Sequence, residues 1–170
     1  MKKKNAARCV IAACTVILLC AIYIMSAEPA KRSSEMSLSV GRTIGMIINP
    51  DFDGMTASEQ TEYARSIDRP VRKTAHFVEF FALGALLCAG IALWDVRGAR
   101  LILTAAADGV IFAVLDELHQ LTVPGRAGMT ADVLLDTAGV LCGAAAVFAA
   151  VCASDAVKKK RSGQNARGSL

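Results

Sequence analysis

The sequence has no internal repeat, no low-complexity tract and no CxxC pair among its six cysteines. All six (Cys9, Cys14, Cys20, Cys88, Cys142, Cys152) fall inside apolar runs, away from segments where oxidation would pair them, so they read as small packing residues. The chain holds two histidines, and although histidine with carboxylates suits zinc or iron, neither sits at a known zinc-signature spacing, so a metal is not favoured and no cofactor is expected. Asp51-Phe52-Asp53-Gly54 resembles the start of a calcium loop, but Met55 stands where the next ligand belongs, which excludes that reading. A basic face is also missing. The net charge of +4 comes from Lys and Arg that flank apolar runs, which argues against a nucleic-acid partner. Charge is absent altogether from Cys9 to Ala27, a run of 19 residues. At about 1.5 Å per residue this spans roughly 28 Å, close to the hydrocarbon thickness of a bilayer.

What remains is strongly apolar: 54% of the residues are hydrophobic and the mean hydropathy is +0.45. After 9–27, three more long apolar runs follow, Thr74–Trp94, Leu101–Leu121 and Ala131–Ala153. The expected fold is all-α, an integral membrane bundle of four transmembrane helices with a partly helical extracytoplasmic loop. Met25-Ser26-Ala27 makes a poor cleavage site, and Leu19 precedes Cys20 where a lipobox needs a small residue, so the first run reads as an uncleaved signal anchor. Basic residues concentrate in residues 1–8, in the Asp95–Arg100 turn and in the 154–170 tail. The positive-inside rule therefore puts both termini in the cytoplasm of a multi-pass cell-membrane protein and residues 28–73 outside. That loop carries seven Lys and Arg, but its length dilutes their influence. Within it, Ser37–Asn49 reads as a short interfacial helix, Thr56 and Glu59 as a capping box, and Pro70 as a break before the second span. Gly139 and Gly143 in the fourth span permit close helix contact.

Polar residues interrupt these spans in a pattern. Arg72, His76 and Glu79 share one helical face at i, i+4 and i+7, with Lys73 on its flank. In the third span Asp116 lies one turn from His119 and Gln120, and Glu117 one turn from Gln120. Asp132 and Asp136 are one turn apart in the fourth span, and Arg126 sits on the loop between them and the third. The topology brings all of these to one depth near the outer face, with side chains turned to the bundle interior, where ionisable groups mark functional sites. Arg126, after Pro124-Gly125, folds back over the helix ends as their counter-ion. Asp108 lies mid-span, away from this cluster, and has no assigned partner.

Lys73, His76 and Glu79, then Asp116, Glu117, His119 and Gln120, then Pro124-Gly125-Arg126, then Asp132, Asp136 and Gly139 together resemble the VanZ-like membrane protein family, with a departure at Asp136, where the family pattern favours Asn. The resemblance covers about Arg69 to Gly143. It implies a multi-pass bacterial membrane protein whose namesake is linked to susceptibility to the glycopeptide teicoplanin, and it fixes no biochemical activity. Three readings stay open. In the first, His76, Glu79, Asp116, Glu117 and His119 are candidate acid–base groups acting on a cell-envelope molecule, His76 pairing with Glu79 and Asp116 with His119, and Lys73, Gln120, Arg126, Asp132 and Asp136 bind it. In the second the cluster is a small transporter or a ligand- or ion-binding module, as a homo-oligomer if it transports. In the third it is a structural ion-pair network of Arg126, Glu79, Glu117 and Asp132. The expected partners are membrane lipids and a lipid-linked envelope precursor or a glycopeptide.

Overall fold

The computed structural model describes residues 2–126 and 130–167, and within them it is helical with no strand. In chain order the helices are α1 (Lys2–Ser26), α2 (Ala30–Ile48), α3 (Ala57–Ser66), α4 (Asp68–Ala92), α5 (Gly98–Gln120) and α6 (Thr130–Arg167). Four of them, α1, α4, α5 and α6, are long and apolar enough to cross a membrane. The four expected spans and the helical character of the 28–73 segment are thus both present.

Between helices in lipid, burial supplies little net attraction, because acyl chains are as apolar as leucine; close packing has to do more. The α4–α6 seam shows how. A Cβ on Gly139 would stand 2.6 Å from the Phe77 carbonyl oxygen and 3.1 Å from the Phe81 amide nitrogen. One on Gly143 would fall on the Phe81 carbonyl, and one on Gly84 on the backbone of Val140. Glycine on both helices lets the two backbones touch. α5 closes the three-helix core by setting Gly109 against the Val140 side chain. Fully buried Phe80, Leu83, Ala113 and Val140 fill one half of this core, and Cys88, Leu101, Ala105 and Ala144 the other. α1 lies outside the trio and buries little beyond Ile22 and Ser26.

At one end of the bundle the basic residues of the N-terminus meet the α4–α5 turn. The Lys4 ammonium pairs with Asp95 at 2.6 Å, and Arg8 donates to the Leu93 carbonyl while lying 4.0 Å over the Trp94 ring. Arg97 reaches Asp155 of α6 at 3.1 Å. The N-terminal segment, this turn and the far half of α6 therefore share one end, as the charge distribution requires.

At the opposite end α2 and α3 fold over the bundle. Gly41 admits Ala64 and Gly45 admits the buried Phe52 ring, which meets Tyr63 edge-on at 5.6 Å. The capping box at Thr56 and Glu59 is formed in both directions. The Ser37 hydroxyl donates to the Asp68 carboxylate and ties α2 to the start of α4. Two sequence expectations need adjustment here, and one helix outruns its apolar stretch. The interfacial helix is longer than 37–49, starting at Ala30. Pro70 does not break the chain. It sits in the first turn of α4, where its missing N–H is not needed, and the break falls earlier, at Ile67. The helix that carries the fourth apolar run continues beyond Ala153, because good helix formers follow without proline, and α6 runs on to Arg167.

Candidate functional site

The site lies at the α2–α3 end, where the last turn of α5, the first turns of α4 and α6 and the 121–126 segment meet. On α5, the Gln120 amide donates to the Asp116 carboxylate at 2.8 Å, and its nitrogen also lies 3.4 Å from the Ser26 hydroxyl at the end of α1. Asp116, Glu117 and Gln120 are all buried. On α6, Asp136 is 1% exposed, and neither carboxylate oxygen has a hydrogen-bond donor among the described residues. The His76 Nδ1 of α4 is 3.9 Å from Asp136 Oδ1, and Asp116 and Asp136 each bring a carboxylate oxygen within 4.8 Å of that imidazole and of one another. One turn up, at the rim, Lys73 pairs with Asp132 at 3.2 Å, both side chains about one-third exposed. Glu79 is half-buried on α4, within electrostatic reach of Asp116.

The turn after α5 follows from its sequence. Gly125 has φ +77°, a conformation glycine takes without strain, and the Arg126 amide donates to the Val123 carbonyl. This folds Arg126 back as expected, but onto α1. Its Nε donates to the Glu28 carbonyl at 3.1 Å and its Nη2 to the Met25 carbonyl at 3.2 Å. Burial, together with the like charge of Arg72, pushes the Arg126 guanidinium below its ordinary value, while Asp116, Glu117 and Glu28 pull the other way. Arginine stays charged under such pressure, so the guanidinium remains a fixed cation. Residues 127–129 of the loop lie outside the described residues.

Two cavities border this cluster. The first, about 220 Å³, is lined by Arg69, Arg72, Lys73, His76, Gln120, Arg126 and Asp132, four fixed cations against one carboxylate. The second, about 300 Å³, is apolar and lies between α1, α4 and α5, lined by Leu19, Ile22, Tyr23, Phe80, Leu83, Phe112 and Leu115 with Asp116 and His119 at its edge. His76 lines the first cavity and Asp116 the second, so the triad of half-buried His76 with buried Asp116 and Asp136 has a member in each wall.

The structure brings together most of the residues singled out by spacing but re-pairs them. His76 faces Asp136 rather than Glu79. Asp116 is held by Gln120 rather than by His119, which turns away and stacks on Tyr23 at 4.3 Å between ring centroids. Asp132 finds Lys73. Asp108, half-buried in mid-α5, forms no ion pair among the described residues. Arg69 and the end of α1 were missed. Arg69 precedes the apolar run and looks like a loop residue, and α1 contributes backbone carbonyls, which carry no sequence signal.

No curated protein and no solved structure matches the chain. A family model does match, over residues 11–151, a stretch that takes in every helix of the core and the whole polar cluster. With its four apolar helices and this interrupted polar end, the chain belongs to the VanZ/LLP1 family and is a helical protein of membrane type.

Proposed function

We propose that the chain lies in the cell membrane with both termini in the cytoplasm, and that its polar cavity, on the outer side, binds the phosphate or carboxylate of a lipid-linked cell-envelope component. The observation that carries this reading is the charge of the cavity wall: Arg69, Arg72, Lys73 and Arg126 against Asp132 alone. A guanidinium fork suits phosphate and carboxylate oxygens. The apolar cavity supports a ligand with a hydrocarbon tail, since its wall reaches the bundle surface at Tyr23 and Leu115, both more than half exposed and so turned to lipid in a bilayer. The amphipathic α2, with Met46, Ile47 and Ile48 exposed, supports an interfacial position for the covering segment. A purely structural ion-pair network accounts for Lys73 with Asp132 but not for a cation-lined void. The link to glycopeptide susceptibility belongs to this proposal through the nature of the ligand, a lipid-linked envelope precursor or the glycopeptide itself.

The test is retention of a polyprenyl phosphate by the purified protein in nanodiscs, read by native mass spectrometry. Wild type should retain it in preference to a neutral polyprenol, and Arg126→Gln should weaken retention by roughly 10- to 100-fold, the order expected for one charge-assisted contact of about 1.5–3 kcal/mol. Equal retention of phosphate and alcohol would overturn the reading.

A further inference from the structure

We infer that His76, Asp116 and Asp136 form a binding site for one divalent transition-metal cation. The three come from three different helices, α4, α5 and α6, and each offers a ligand atom within 4.8 Å of the other two. Bond lengths of about 2.0–2.2 Å set donor–donor separations of roughly 3–4 Å around an ion, so a modest inward rotation of side chains completes the geometry.

The second observation is the state of Asp136. Its side chain is 1% exposed, and both of its oxygens lack a hydrogen-bond donor among the described residues. His76 Nδ1 is buried without a hydrogen-bond partner as well, and at 3.9 Å it does not donate to Asp136. A buried carboxylate without a hydrogen-bond donor is costly, and a second one, Asp116, lies alongside. A cation between them removes the cost from both. Asp116 is already oriented for this: Gln120 holds its Oδ2, the kind of outer hydrogen bond that fixes a ligating carboxylate. Glu79 on α4 and Glu117 on α5 are negative neighbours of the triad; Asp132 is paired with Lys73 and Arg72 with Asp68, and Arg69 and Arg126 are the remaining cations on the His76 side.

The ligand set selects the ion. One imidazole nitrogen with two carboxylates suits zinc, iron or manganese, whereas magnesium and calcium prefer all-oxygen sites. Three protein ligands leave at least one position open, on the side where His76 borders the polar cavity. The assignment rests on the triad alone and not on the headgroup reading of that cavity.

The experiment uses the purified full chain in detergent, stripped with chelator and titrated with Zn²⁺, the bound metal being counted by mass spectrometry after desalting. Five of the six cysteines are exposed (Cys9, Cys14, Cys20, Cys142, Cys152), so the measurement is made in a background with these replaced by alanine. The result expected is about one Zn²⁺ per chain, retained against millimolar Mg²⁺, with binding weakened at least tenfold by Asp136→Asn and by Asp116→Asn. Asp155→Asn, an exposed acid at the other end of the bundle, should leave it unchanged. Size-exclusion elution and helical circular dichroism report whether each variant is folded. Should Asp136→Asn not fold, His76→Gln, on a partly exposed residue, replaces it in the comparison. Wild type that holds no more Zn²⁺ than its folded triad variants overturns the assignment, and so does equal displacement by Mg²⁺. In the former case a proton shared by the two carboxylates is what neutralises them.

Discussion

Gly143→Ala is the most direct probe of how the fold holds its polar end together. The added methyl would land on the Phe81 carbonyl oxygen and stand 2.9 Å from the Ala85 amide nitrogen, both backbone atoms of α4. Neither can rotate away as a side chain would, so α6 must retreat from α4 by about 1.5 Å along the Phe81 contact to restore ordinary packing near 3.4 Å. Overpacking of this kind costs about 1–3 kcal/mol, and a backbone obstacle argues for the upper end. Alanine returns about 0.5–1 kcal/mol of helix propensity over glycine. The net expectation is about 2 kcal/mol of destabilisation. Gly90→Ala is the matched control. Its new Cβ meets only Ile11 Cγ2, at 3.4 Å, so the variant should equal or slightly exceed wild type. Reversible unfolding in mixed micelles, with SDS as denaturant and circular dichroism as readout, measures both. If Gly143→Ala proves as stable as wild type, the α4–α6 seam is not the closest contact of the bundle, and the distance between His76 and Asp136 loses its structural explanation.

Two further outcomes are expected. With the exposed native cysteines replaced, Ser34→Cys on α2 should react with an impermeant thiol reagent in intact cells; absence of labelling would invert the proposed topology. Hydrogen bonds from the Thr56 backbone N–H and hydroxyl hold the exposed Glu59 carboxyl below its ordinary 4.5, so this cap's contribution is present above that value and is lost as pH falls through the lower, folded one. Amide protection in the first turn of α3 should therefore decline on acidification below pH 4.5 in wild type, and the same pH dependence in Glu59→Gln would show that the carboxyl is not its source.

How far the sequence discloses this arrangement can be followed residue by residue. The four spans follow from length and the absence of charge, and the shared face of Arg72, His76 and Glu79 follows from helical spacing. Pairing was less accessible. Both His119 and Gln120 lie one turn from Asp116, and spacing alone does not choose between them. Gln120 has an amide donor that reaches the carboxylate from the next turn, and His119 finds a Tyr23 ring on α1, a helix whose apolar sequence gives no hint of such a role. Likewise Asp132 and Asp136 look equivalent one turn apart. The first reaches the rim, where Lys73 can extend to it, while the second is sealed by the close α4–α6 approach that Gly139 permits.

That approach also explains why the polar end must be assembled as a unit. Asp136 lies three residues before Gly139 on α6, so the contact that brings Gly139 onto the Phe77 carbonyl buries the Asp136 carboxylate against His76. Among the described residues, nothing in that packing donates a hydrogen bond to Asp136. A seam this tight therefore strengthens the bundle and strands a carboxylate in the same step, and the two effects have opposite signs in stability. Most of the cationic wall above is already engaged: Lys73 by Asp132, Arg72 by Asp68 at 3.2 Å, and the Arg126 guanidinium by the Met25 and Glu28 carbonyls. Whatever neutralises Asp136 must arrive in the space between it, Asp116 and His76. Any variant that loosens the seam should therefore reduce the demand for that neutralising group, so Gly143→Ala should weaken Zn²⁺ retention even though it touches none of the three ligands.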